Sequence, residues 1–260
     1  MDIIFLEFEQ DLNRVRKLIQ LLDQIKGFAG IDLDVAVQEL ESSFFTATQS
    51  IHNQARSCHA DTYVLYGTIV LYLGGRFEFF VRTVFEDLCI RIATRVGSFY
   101  KLPKIMQENL IKFTAEVMLN PRKYGHADRG VKAFISNLAS NLDETQLFSQ
   151  INASCLSITY ENMRASTLSE LFERIGVKDI WQKIGQQAKV QIFFETAEAD
   201  QAKNKATSQL NTFVELRNQI AHPSTNMTWP NTDQVVAYID FLKVIATAIT
   251  ELISVYEINL

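Results

Sequence analysis

The sequence predicts an all-α protein, an up-and-down bundle of long helices that carries a helical insertion. Three observations lead there. Glycine and proline, ten and four in 260 residues, fall mainly between periodic segments rather than inside them. Apolar residues recur at three-and-four spacing along most of the chain, the signature of amphipathic helices. One segment, about 61–100, is apolar over more than one face, as a helix central to a bundle or a dimer interface must be.

Taken in order, residues 3–25 carry Leu12, Val15, Leu18, Ile19, Leu22 and Ile25 at helical spacing, and Gly27 and Gly30 are expected to end that helix. A second helix is expected over about 32–58. The third, from about Asp61 through Tyr100, is the most apolar, with Val64, Leu65, Ile69, Leu71, Phe77, Phe80, Val81, Val84, Phe85, Leu88 and Ile92. Pro103 opens the next helix at its first turn, where its missing N–H costs nothing, and that helix stops near Asn120-Pro121. Residues 121–198 have weaker periodicity and read as an insertion between core helices. The insertion has a helix from Gly130 to Leu142, a polar stretch, and a segment over Asn162–Ile175 with Ser166 or Thr167 as N-cap. Val190-Gln191-Ile192-Phe193-Phe194 is its only strand-like piece. A long helix follows from Ala199 to Ala221, then a turn from Pro223 to Pro230, then a final helix from Asp233, as N-cap, to Tyr256. No internal repeat or low-complexity segment interrupts the chain, and residues 1–260 read as a single domain.

Composition bounds the function. With 47% hydrophobic residues the chain can bury a large core without staples. Cys58, Cys89 and Cys155 lie far apart without ligand-type spacing and read as buried free thiols in a reducing compartment. The first residues, Met1 to Glu7, lack a basic n-region and a cleavage site, and no uninterrupted apolar run approaches the ~18 residues of a membrane span. The expectation is a soluble, cytoplasmic protein with no membrane partner. A net charge of −5 argues against overall attraction to nucleic acid, but charge is unevenly spread. Between Arg91 and Lys132 nine basic residues, among them Arg122, Lys123 and Arg129, face three acidic ones. A local basic surface can hold a phosphate backbone on an acidic molecule; a merely solvated face is the plainer alternative.

The chain contains no Gly-rich phosphate loop, no nucleophile elbow, and no His or Cys pair at metal spacing. No cofactor or metal is expected. His52 and His59, seven apart, read as surface or interface histidines, and His126 stands in the basic loop without partners in sequence. What remains is Arg217-Asn218-Gln219-Ile220-Ala221-His222, closed by Pro223. An imidazole can move a proton near neutral pH, and a guanidinium can stabilise charge on a phosphorane. Five positions set Arg217 and His222 about 140° apart on an ideal helix. They converge only if the last turn is distorted, which Pro223 favours, or if a second subunit closes the cleft. On spacing alone the competing reading is structural: Arg217 paired with Glu215 or Glu251, and His222 favourably placed at a helix C-terminus.

The segment Phe213 to Pro223 resembles the signature of the HEPN superfamily: an arginine, a polar residue, three spacers and a histidine. Gly75-Arg76-Phe77-Glu78-Phe79-Phe80 resembles the aromatic-acidic stretch in the long helix of its RiboL-PSP type, and Asn162 to Phe172 looks like a linker of that group. The resemblance implies an all-helical HEPN-type bundle and a metal-independent endoribonuclease in a toxin, antiviral or RNA-processing setting. It implies a homodimer whose two motifs line one cleft, and a possible antitoxin or defence-system partner protein. Carried onto this chain, Arg217 and His222 become the catalytic pair and Asn218 the polar residue that orients the phosphate or the histidine. Arg122, Lys123 and Arg129 would hold the RNA backbone. Arg76 and Glu78 either contribute to substrate binding or form a buried ion pair that fixes dimer register. Relatives silenced by a nucleotidyltransferase carry tyrosine two residues after the histidine; here that position is Ser224, so control by modification there is not expected. The alternative is a non-catalytic HEPN-like adaptor that binds RNA or protein.

Overall fold

In the computed structural model, residues 2–30, 43–125, 128–145, 148, 150–224 and 227–258 are described. They form α1 (Asp2–Ala29), α2 (Ser43–Cys58), α3 (Thr62–Val96), α4 (Lys104–Leu119), α5 (Asp128–Leu142), α6 (Ala153–Leu156), α7 (Ala165–Glu173), α8 (Ile180–Gly185), α9 (Ala188–Phe193), α10 (Ala199–Ala221) and α11 (Thr232–Ile258). Among the described residues there is no strand.

The central element is α3, against which α1, α10 and α11 pack, with α6 and α7 closing its C-terminal half. Its buried side, including Tyr66, Val70, Leu73, Phe77, Phe80, Val81, Val84, Phe85 and Leu88, extends around much of the helix because it serves several neighbours at once. By length and composition α3 could cross a membrane, and 44% of that apolar window is buried by these contacts inside the bundle. Gly97 ends it in the left-handed region, at φ 64°, donating its N–H to the Ala93 carbonyl at 3.0 Å. On α1 the buried stripe is Phe8, Leu12, Val15 and Ile19, while Leu18 faces outward. Phe8 stacks on Phe80 of α3 with ring centroids 4.9 Å apart.

Several sequence expectations are corrected at the level of single residues. Gly27 lies within α1, and Gly30 follows its end. Only 43–58 of the second predicted helix can be described; 32–42 and His126 lie outside the described residues. Val190 to Phe193 belong to α9, a helix: Val190 is buried and Phe193 packs on Phe241 of α11. The segment 162–175 narrows to α7, whose N-cap position is Arg164; Thr167 Oγ1 instead donates to the Asn162 carbonyl at 3.1 Å. Asn231, rather than Asp233, caps α11. Its Oδ1 accepts the Gln234 N–H at 2.9 Å while Gln234 Oε1 accepts the Asn231 N–H at 3.1 Å, a reciprocal capping box. Cys58 is exposed, although Cys89 and Cys155 are buried free thiols. His52 is buried, edge-on to Phe28 at 5.1 Å, so it serves the packing of α2 on α1 rather than the surface.

Residues 121–198 pack over the core through α4, α3, α10 and α11. Their most consequential part is the extended strap from Leu156 to Ala165. Arg174, buried and lying 4.1 Å over the Phe113 ring, donates to the carbonyls of Leu156 at 2.6 Å and Ile158 at 2.7 Å. Burial lowers its pKa from the usual guanidinium value, but these acceptors and the aromatic face compensate for a cation held out of water. Ser157 then donates to Glu86 and Thr159 to Glu78 at 3.3 Å, so the strap descends α3 toward its middle. Replacing Arg174 with alanine would strand two carbonyls and open a cavity. A loss on the order of 3 kcal/mol is expected in denaturant unfolding, with Arg174→Lys recovering part of it.

Candidate functional site at the end of α10

The motif sits where α10 must stop. Pro223 has no N–H to donate, and its ring disfavours helical geometry in the residue before it. His222 accordingly leaves the helix at φ −130°, ψ 69°, while its N–H still bonds the Asn218 carbonyl at 3.0 Å. The loop beyond is clamped on α3. A Cβ at Gly67 would fall 2.4 Å from Cζ3 of Trp229, so only glycine allows the indole to lie there, with Tyr63 against it at 5.0 Å and Ile220 beside it.

One helical heptad further along α3, Gly74 does the same for Arg217. A Cβ there would come within 3.1 Å of Arg217 Cγ. Glycine inside a helix costs about 1 kcal/mol relative to alanine; here it provides the groove in which the arginine stem lies. Arg217 is half-buried, and its Nη1 donates to Asn218 Oδ1 at 3.3 Å. The same oxygen accepts from Asn162 Nδ2 of the strap at 2.7 Å. Asn218 thus ties the guanidinium to the strap through one oxygen.

The salt bridges offered by the structural alternative for Arg217 do not form among the described residues. Glu215 pairs with Arg164 at 2.9 Å and Glu251 with Lys189, and no carboxylate among the described residues pairs with Arg217. His222 does take the C-cap position, but its side chain is exposed and its imidazole makes no hydrogen bond to the described residues. By helical register it continues the exposed row of Glu215 and Gln219. Beside that row opens a cleft of about 570 Å³ lined by Arg164, Asn211, Glu215, Gln219 and Tyr238.

The other candidate residues separate. Glu78, one turn beyond Gly74 on the same side of α3, is half-buried and bonded to Thr159 of the strap. Arg76 points the other way, forming a close charge pair with the buried Asp11 of α1 and lying 4.9 Å from the Phe79 ring centroid. The expected alternative of an Arg76–Glu78 ion pair is therefore excluded, because positions two apart on a helix face away from each other. Arg122 and Lys123 occupy the turn Pro121–Tyr124. Arg129 is in α5; its side chain lies outside the described residues. Among the described residues no group of three His, Cys, Asp or Glu side chains is placed to hold a metal ion.

Sequence reasoning missed Gly67 and Gly74, and gave Asn162 no role beyond a linker. Two glycines seven apart inside a strongly apolar helix were the available signal, since that spacing opens one face to a close neighbour.

An all-helical bundle whose penultimate helix ends in an arginine, four residues and a histidine, held against a long central helix, defines the class of protein. The RiboL-PSP-HEPN family model matches residues 32–255, and the chain belongs to that family, one of the HEPN type. HEPN domains are commonly RNase-related. No curated protein and no solved structure compared with the chain matches it.

Proposed function

We propose that the protein is a metal-independent endoribonuclease whose centre is Arg217, Asn218 and His222. The observation that carries this reading is the state of the motif's side chains. Arg217 is positioned by Gly74 and Asn218 yet pairs with no carboxylate among the described residues, and His222 presents an imidazole with no described hydrogen bond. A structural helix end has no use for both a cation without a carboxylate partner and an unbonded imidazole; a phosphodiester has use for each.

In the reaction, the ribose 2′-oxygen attacks the adjacent phosphorus, forming the 2′-O–P bond as the P–O5′ bond breaks. His222 takes the 2′-hydroxyl proton or delivers a proton to the departing 5′-oxygen. Arg217, with the Asn218 amide, holds the phosphate and offsets charge on its non-bridging oxygens. The products are a 2′,3′-cyclic phosphate and a 5′-hydroxyl. Glu78, one turn beyond Gly74 on α3 and bonded to Thr159, would contribute to substrate binding, and Arg122, Lys123 and Arg129 would contact the RNA backbone flanking the scissile phosphate.

By ideal helical register Arg217 and His222 stand about 140° apart at the end of α10, which favours a homodimer in which two motifs share a cleft. An RNase of this kind suits a cytoplasmic toxin or antiviral defence system, held in check by a partner protein. Sedimentation of the purified protein should show the dimer. Incubation with total RNA in EDTA, read on a gel, tests the activity. Intact RNA with a folded protein would instead favour the non-catalytic adaptor that the acidic net charge mildly suggests.

A further inference from the structure

Beside the strap lies a cluster that the motif does not use. Glu116 of α4 accepts hydrogen bonds from two phenols, Tyr124 Oη and Tyr160 Oη, the latter at 2.6 Å. The two rings meet edge to face with centroids 6.4 Å apart, and Lys123 Nζ stands 5.0 Å from one centroid and 5.8 Å from the other. The phenol donors, Tyr124 first, hold the Glu116 carboxyl below the usual carboxylate range. Burial and the bond to Glu116 push the Tyr160 phenol up to about 12. The arrangement is thus fixed at neutral pH, and because the Glu116 value is lowered, its hold is lost only as pH falls through that lowered value.

Tyr160 is pinned at its hydroxyl yet 56% exposed. Anchoring a loop requires the hydroxyl alone; a rigid ring left open to solvent beside a lysine is what a single-stranded nucleic acid uses, base on ring and phosphate on cation. The strap also fixes where this ring stands. Thr159, on one side, bonds Glu78; Asn162, two residues on and at most about 7 Å of chain away, bonds Asn218. The platform and the proposed cleavage centre are therefore parts of one braced segment.

We propose that Tyr160, backed by Tyr124 and Lys123, is a base-stacking subsite for single-stranded RNA, receiving the base of a nucleotide close to the scissile phosphate. The proposal rests on the ribonuclease reading, and its test separates the two. His222→Ala protein is titrated with short single-stranded RNAs carrying 2-aminopurine at successive positions. Fluorescence should be quenched at one position near the cut made by the wild-type protein. Tyr160→Ala in the same background should lose that quench and bind about 5- to 150-fold more weakly, while Tyr160→Phe, which keeps the ring, retains the quench.

Removing the base at that position of the RNA gives a readout independent of protein folding. It should weaken binding to the Tyr160 protein by a similar factor and leave binding to the Tyr160→Ala protein unchanged. If wild-type protein cuts RNA in EDTA but no position is quenched, or the quench survives Tyr160→Ala, the subsite is wrong and the ribonuclease stands. If the wild-type protein neither binds nor cuts RNA, both fall together.

Discussion

Replacing His222 with alanine is expected to abolish RNA cleavage while leaving helicity and oligomeric state unchanged. The imidazole is exposed and makes no hydrogen bond to the described residues, so truncating it removes no packing and strands no partner. Substitution at such a position ordinarily changes stability by less than about 0.5 kcal/mol. Loss of a general acid or base, in contrast, costs about 10²- to 10⁴-fold in rate. The two readouts therefore part company: circular dichroism and sedimentation should match the wild-type protein while kcat falls by that factor. A variant that retains its cleavage rate would remove His222 from the mechanism.

The second large effect is expected at Arg217 and at the glycine beneath it. Arg217→Ala should cost about 10²- to 10³-fold in kcat, the scale for removing a preorganised donor from a developing oxyanion. Arg217→Lys should recover little, because a lysine ammonium cannot make the forked contact of a guanidinium. Gly74→Val probes the same group without altering it. Its side chain would meet the Arg217 stem, which a Cβ alone already approaches at 3.1 Å, so the guanidinium must move off Asn218. Since a displacement of about 1 Å can cost about 10²-fold in rate, Gly74→Val should be nearly as inactive as Arg217→Ala. Gly75→Ala is the control: a Cβ there meets nothing within 4 Å, so activity should be unchanged.

The fold was most readable where one helix face repeats over many turns. The long helices α3, α10 and α11 follow from apolar spacing because their buried faces run unbroken for five turns or more. Short elements were misread for the opposite reason. Val190 to Phe194 is apolar in a run that suits a strand or a buried helical turn equally, and only the packing of Phe193 and Phe194 on Phe241 decides it. Asp233 looked like the α11 cap because it is acidic and well placed, but the Asn231–Gln234 reciprocal pair satisfies two backbone donors where Asp233 could satisfy one. His52 shows the limit of type-based reasoning: a histidine is often exposed, and this one is sandwiched between α1 and α2.

The candidate site divides along the same line. Arg217, Asn218 and His222 were legible because six consecutive residues and a proline carry them. Their supports were not. Gly74 matters only because α10 crosses α3 there, and Asn162 only because the strap returns to α10 after the turn through α6. Arg76 and Glu78 appeared together as a sequence pair, yet the helix sends one to Asp11 and the other to Thr159. Local sequence specified the reactive groups, and tertiary contacts specified their orientation.

The central claim is most directly tested by the ends left on a defined RNA. Wild-type protein in EDTA should cut a single-stranded substrate to give a 2′,3′-cyclic phosphate and a 5′-hydroxyl. It should leave uncut the same strand with a 2′-deoxy sugar at the scissile nucleotide. A 3′-hydroxyl with a 5′-phosphate, cleavage of the deoxy-substituted strand, or unchanged cleavage by His222→Ala would contradict the account.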